Sequence, residues 1–234
     1  MRIITFGSSH SVGYGLPDVV GNPDYDTPSQ LAYSNIVAEH FNYEHLNLSK
    51  CGNSIEQIHA DIMSTDIDNN DIVVLQISTN PNWFKLITPD NKPYNVMNPD
   101  SLDHKGKEYS KALHGLLGTL TGDNHWRRLW YIHFFSIMQL LDNKKVVWFF
   151  DRYLKEYFEF DHMISTMPVD IQNQLKSIKT KSDKLVSTYV GEIYSNYLNE
   201  NCPESVQDNG HYNEIGHRFW AENVLIPAVD KLTK

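Results

Sequence analysis

The chain is short of several things, and each shortage closes off a class of protein. It has two cysteines in 234 residues, Cys51 and Cys202, too few for a disulfide framework. It has no excess of basic residues: Lys and Arg number 20 against 29 Asp and Glu, for a formal net charge of −9. Nucleic-acid binding draws on Lys and Arg against phosphate, so no such partner is expected. Nor is there a long apolar run. The longest, Leu129 to Leu141, is interrupted by His133, Ser136 and Gln139 and is too short to span a bilayer. After Met1 and Arg2 only a few strand-like residues precede Gly7, well below the roughly 7–15 apolar residues of a secretory signal. A cytoplasmic protein with no membrane partner is the expectation, with nothing to indicate its oligomeric state.

What remains is ordinary for a globular domain, with 41% hydrophobic and 21% charged residues. The length suits one large domain over 1–234, and neither a repeat nor a low-complexity linker divides it. Ile3 to Phe6, Tyr43 to Leu48, Asp71 to Ile77 ("DIVVLQI") and "KKVVWFF" (144–150) read as strands. Helical spacing falls between them, over Ser29–Phe41 and from Ile55 to Met63, with Asn53 or Ser54 as its cap. Strands alternating with helices imply a parallel sheet. The pattern breaks after Ser78. "TPDNKPYNVMNPDS" (88–101) reads as a loop, followed by helical stretches near Lys105–Leu120 and His125–Leu141. The region 85–143 is therefore expected to be a helical insertion, and a further helix is expected near 170–199.

Two places carry candidate chemistry. "RIITFGSSHSVGYG" (2–15) ends a strand at Gly7 and enters a hydroxyl-rich loop, at the strand end where open α/β sheets place ligands and catalytic groups. "QDNGHYNEIGHRFWAE" (207–222) holds Asp208 and His211 three apart in a Gly-containing turn before an amphipathic helix. Such a turn can bring a carboxylate to one imidazole nitrogen and leave the other to accept a hydroxyl proton, the logic of a Ser-His-Asp triad. Competing motifs fail. Gly7 to Gly13 lacks the Lys of a P-loop, "GYGLPD" lacks the third glycine of a dinucleotide fingerprint, and Ser11 stands where a nucleophile elbow needs glycine. His211 and His217 have no Cys or carboxylate cluster at ligand spacing, so no metal is expected.

Taken in order along the chain, these residues resemble the blocks of the SGNH hydrolases, the GDSL esterase/lipase superfamily. Gly7, Ser9, Ser11 and Gly13 match the first block, Gly52 the second, Asn80 the third, and Asp208 with His211 the last. Three positions depart from it: Ser8 stands for an aspartate that braces the nucleophile loop, Ser78 for a glycine, and Pro81 for an aspartate. The resemblance implies a flavodoxin-like, three-layer α/β/α sandwich with a central parallel sheet of about five strands. It also implies hydrolysis of a carboxylic ester through an acyl-serine intermediate, with no cofactor. Ser9 would be the nucleophile, His211 the general base and acid, and Asp208 its orienter. The oxyanion would be held by the Ser9 and Gly52 N–H groups and the Asn80 amide. Trp83, just after the Asn80 block, would line the pocket, whereas Trp126, Trp130 and Tyr131 suit the core. The partner implied is a small-molecule or glycan ester, such as an O-acetyl carbohydrate. An acyltransferase using the same serine, or a binding module that keeps the fold without turnover, stays open.

Overall fold

The computed structural model describes residues 1–19, 27–78, 84–87, 93–96, 123–151, 169, 173 and 189–234. Among these residues, five strands form one wholly parallel sheet: β1 (Arg2–Phe6), β2 (Glu44–Asn47), β3 (Ile72–Ile77), β6 (Lys145–Phe150) and β7 (Tyr189–Ile193), in the order β2-β1-β3-β6-β7. Counted within the sheet alone this is 2-1-3-4-5, the flavodoxin-like order, whose switch point lies between β1 and β3. A separate antiparallel hairpin pairs β4 (Phe84–Ile87) with β5 (Pro93–Val96).

Strand alternation assigns the layers. Ile4, Phe6, Val73, Leu75, Ile77, Val146 and Trp148 face one way. They pack on Ile55, Ile58 and Ile62 of α3 (Ile55–Ser64) and on the apolar side of α4 (Asp123–Leu140), including Trp130, Ile137 and Met138. Ile3, Ile72, Val74, Val147 and Phe149 face the other way. There they meet Tyr33, Val37 and Ala38 of α2 (Tyr33–Phe41) and Tyr194 and Leu198 of α5 (Tyr194–Asn201). The last helical run, α6 (Glu214–Trp220), a π turn over Ala221–Leu225 and α7 (Ile226–Thr233), adds Trp220, Leu225 and Val229 to that face. Both faces of the parallel sheet are thus covered, which is why β3 is buried at every position.

Local chemistry fixes the ends of these elements. Ser54 caps α3 by accepting from Gln57 N–H, and Asn213 caps α6 by accepting from Ile215 and Gly216 N–H. At the amino edge of the sheet Arg2 grips Asp71 with two nitrogens, at 3.1 and 2.6 Å. The Arg2 bond holds the Asp71 carboxyl below its usual range.

Three expectations change. Residues 189–193 form the fifth strand rather than part of a helix, with Tyr189 and Ile193 paired to Trp148 and Phe150 of β6. Pro93 to Val96 is a hairpin strand, with the proline as first residue where no ladder donor is needed. The helix after Ser29 starts at Tyr33, because Asp18 accepts from Ser29 Oγ and Gln30 N–H and holds residues 29–32 in a turn. The stretch 105–120 lies outside the described residues. No helix among the described residues is long and apolar enough to cross a membrane.

Candidate active site

The loop after β1 becomes a four-residue helix, α1 (Ser9–Val12), entered through Ser8 and closed by Gly13 in the left-handed region at φ 81°. Ser8 O accepts from the N–H groups of Ser11 and Val12. Ser9 opens α1, so its N–H has no acceptor within the helix. Its hydroxyl is less buried than its neighbours: Ser8 and Ser11 are within 1% of full burial, whereas Ser9 is half-buried.

The turn that carries the histidine comes from the other end of the chain. Val206 and Tyr212 form an antiparallel bridge, Gln207 N–H donates to His211 O at 2.8 Å, and Gly210 N–H donates to Gln207 O at 2.9 Å. Within it, His211 N–H donates to Asn209 Oδ1. Gln207 Nε2 then reaches Gly15 O at 3.4 Å, tying this turn to the loop after α1. Gly15 permits the approach. It sits at φ 88°, and a Cβ there would lie 2.7 Å from Gln207 Oε1.

The result is a contact between residues 202 apart in sequence: His211 Nε2 lies 2.9 Å from Ser9 Oγ. The His211 ring is flanked by His10 and by Tyr14, each with ring centroids 4.9 Å away, and its Nδ1 is buried. Asp208 does not join them. It is exposed, and among the described residues no hydrogen bond or ion pair links it to His211. The turn closes through its backbone and through Asn209, which leaves position 208 at the exposed tip.

Gly52 lies in the turn Lys50–Asn53, buried, at φ 69°. Lys50 N–H and Asn53 Nδ2 both donate to Gly7 O, at 3.4 and 3.2 Å, so this turn is fastened to the start of the Ser9 loop. Asn80 and Trp83 lie outside the described residues. Ser78, at the end of β3, is buried, and its carbonyl accepts from the indole N–H of Trp130 at 2.9 Å. Trp130 and Tyr131 are core residues, as expected.

Several neighbours of the site were not singled out by the sequence. Gln76 and Tyr33 meet Ser8 and Ser11, and Asn47 Nδ2 donates to Ser11 O. His217, which the sequence raised only as a metal ligand beside His211, is fully buried, stacked on Tyr33, and accepts from Tyr33 N–H through Nδ1. Burial first, then the nearby His211, push its pKa down to about 3. A signal for Gln76 was present: it is the polar residue inside "DIVVLQI". The others are spaced as core or helix residues, and only the fold brings them to Ser9.

The doubly wound sheet thus carries a serine–histidine pair at its carboxyl edge, beside the switch point. No protein-family model and no curated protein matches the chain. Solved structures do. TesA aligns over 99% of this chain and 99% of its own, at 12% identity and a TM-score of 0.53. A member of the lipolytic protein G-D-S-L family from Veillonella parvula covers 100% and 99%, at 15% identity and a TM-score of 0.51. The psychrotrophic esterase EstA from Pseudoalteromonas sp. covers 99% and 98%, at 10% identity and a TM-score of 0.52. The chain has the α/β/α fold of the SGNH hydrolases.

Proposed function

We propose that the protein is a serine esterase that cleaves a carboxylic ester through an acyl-serine intermediate. The observation that carries the reading is the 2.9 Å contact between Ser9 Oγ and His211 Nε2. At that distance the imidazole accepts the hydroxyl proton as Oγ attacks the ester carbonyl. The tetrahedral oxyanion then takes hydrogen bonds from the Ser9 and Gly52 N–H groups and the Asn80 amide. Loss of one such donor typically costs about 2.7–4 kcal/mol of transition-state stabilisation. His211 passes the proton to the leaving alcohol, and the same nitrogen next activates water to release the acid. Asp208 contributes charge rather than a bond to the ring. At an exposed position such a contribution is strongly screened. The ester partner is a small molecule or glycan carrying a small acyl group, such as acetate on a carbohydrate, with Trp83 as a pocket wall. The esterase EstA and the lipolytic G-D-S-L protein support ester chemistry by fold.

The test is intact-mass analysis after a fluorophosphonate serine probe, followed by peptide mapping. A single adduct on Ser9 that disappears in His211→Ala supports the reading. A folded protein that takes no adduct points to a binding module.

A further inference from the structure

Gln76 lies in the middle of the sheet and is fully buried. By alternation it shares a face with Ile72 and Val74, but its amide turns to the nucleophile loop. Oε1 accepts from Ser11 N–H at 3.1 Å, from Ser8 N–H at 3.3 Å and from the Ser11 hydroxyl. Nε2 donates to Ser8 Oγ at 2.7 Å. The Tyr33 hydroxyl completes the group, bonded to Ser11 Oγ. The donors fix the amide's orientation. Two backbone N–H groups can only donate, so they must face Oε1, and Nε2 is left for Ser8.

This arrangement grips the residues on either side of Ser9. A helix of four residues cannot hold its own geometry, because nucleation fixes several dihedrals for one hydrogen bond. The conformation of α1 is therefore set from outside, by Gln76 on one side and by Asn47 Nδ2 on Ser11 O at 2.9 Å on the other. Gly7 lets the strands come this close: a Cβ there would lie 2.9 Å from Gln76 Cβ. An amide in this position is costly unless it is hydrogen-bonded. A leucine would fill the same volume. What only the amide supplies is an acceptor and a donor at fixed separation.

We propose that Gln76 is the positioning residue of the Ser9 nucleophile, a proposal that rests on the esterase reading above. In the block this chain resembles, an aspartate follows the first glycine. Here Ser8 occupies that place, and the brace comes instead from the adjacent central strand. Gln76 touches neither substrate nor the reacting atoms. It sets the direction in which Ser9 Oγ leaves α1, and thereby the 2.9 Å approach to His211. A shift of about 1 Å at such a point can cost on the order of 100-fold in rate.

The experiment measures the rate of Ser9 labelling by the fluorophosphonate probe, split into a maximal rate and a half-saturating concentration. Gln76→Leu is expected to lower the maximal rate about 30-fold or more with little change in half-saturation, the mark of lost positioning. Gln76→Glu, held neutral by full burial, keeps a carbonyl oxygen for the two N–H groups and an O–H for Ser8 Oγ, and is expected to stay within about threefold of wild type. Val229→Ala, in the core of α7, controls for lost stability and should label at the wild-type rate. A folded Gln76→Leu that labels like wild type overturns the proposal, as does a Gln76→Glu as slow as the leucine variant. If Gln76→Leu does not fold, Ser8→Ala decides. It removes the hydroxyl that Nε2 donates to, and a wild-type rate there overturns the proposal. Failure of the esterase reading looks different: the wild type itself takes no label. Hydrogen exchange then reads the brace directly, and it fails if Gln76→Leu, or Ser8→Ala where the leucine variant does not fold, leaves the amides of residues 8 and 11 as protected as in wild type, or if Gln76→Glu exposes them as much as either.

Discussion

The two halves of the site are held in opposite ways. The serine comes on a loop whose flanking residues are bonded from two strands and from α2. Gln76, Asn47 and Tyr33 reach Ser8 and Ser11, and the turn at Gly52 is fastened to Gly7. The histidine comes on a turn whose tip, Asp208, Asn209 and Gly210, is exposed, with Gln207 tied to Gly15 and the Tyr212 hydroxyl to Ser195 and Asn199 of α5. The difference teaches where precision resides. The serine loop is held from inside the sheet, chiefly by the fully buried Gln76 of β3, and the histidine comes on a turn whose tip is exposed.

Removing either reacting group should have the largest effect. Ser9→Ala or His211→Ala is expected to lower ester turnover by roughly 10⁴-fold or more with the fold intact, as circular dichroism and steady-state kinetics would show. A variant that kept a tenth of the activity would separate the pair from the chemistry. The rigid half should next show its cost in stability. Gly7→Ala places a Cβ 2.1 Å from Ser11 Oγ, and overpacking of that kind should lower unfolding free energy by about 3 kcal/mol in denaturant titration. A loss under about 1 kcal/mol would mean that the serine loop can move after all.

Acid should weaken the supports beneath both halves. His45, bonded to Thr5 and Asn35, is pushed down to about 4 by burial, and His217 to about 3. Both bind their proton more weakly when folded than when unfolded, where the value is 6.5. Stability is therefore full above pH 6.5 and falls as the unfolded chain gains protons on the way down to pH 4. Urea midpoints at pH 7 and pH 5 should show the drop, and His217→Gln should flatten it. Asp208→Asn is expected to have the smallest effect, less than tenfold in turnover, because its carboxylate is exposed and not bonded to the ring. A loss of 100-fold or more would show that the turn closes on His211 when substrate binds.

How much of this was legible in the sequence follows from what sequence spacing encodes. Strands β1, β3 and β6 were visible because both faces of a buried parallel strand are apolar, as "DIVVLQI" is; β2, at the sheet edge, was visible only as a short run, Tyr43 to Leu48, between helical stretches. Strand β7 was not: Gly191 and Glu192 interrupt its apolar run, and Tyr194 to Leu198 just after it are helical. Ser9 and His211 were legible as ends of a chemical pair, since each sits in a loop of recognisable composition. The bond from Asp208 was expected from a spacing of three, but a spacing cannot say that Asn209 would take the His211 N–H and leave position 208 outside. Gln76 is the instructive case. It is a polar residue in a core strand, and a buried amide always implies partners. Which partners they are depends on Ser8 and Ser11, 68 and 65 positions away.

The contact between positions 9 and 211 also has a consequence in time. A ribosome adding roughly 5–20 residues per second exposes the serine first and supplies its base only about ten to forty seconds later, 202 residues on. Throughout that interval the emerging polypeptide carries a hydroxyl no more reactive than any other. On the esterase reading, a fragment that lacks position 211 has no base for Ser9, and the pair is complete only once the last helices have been made.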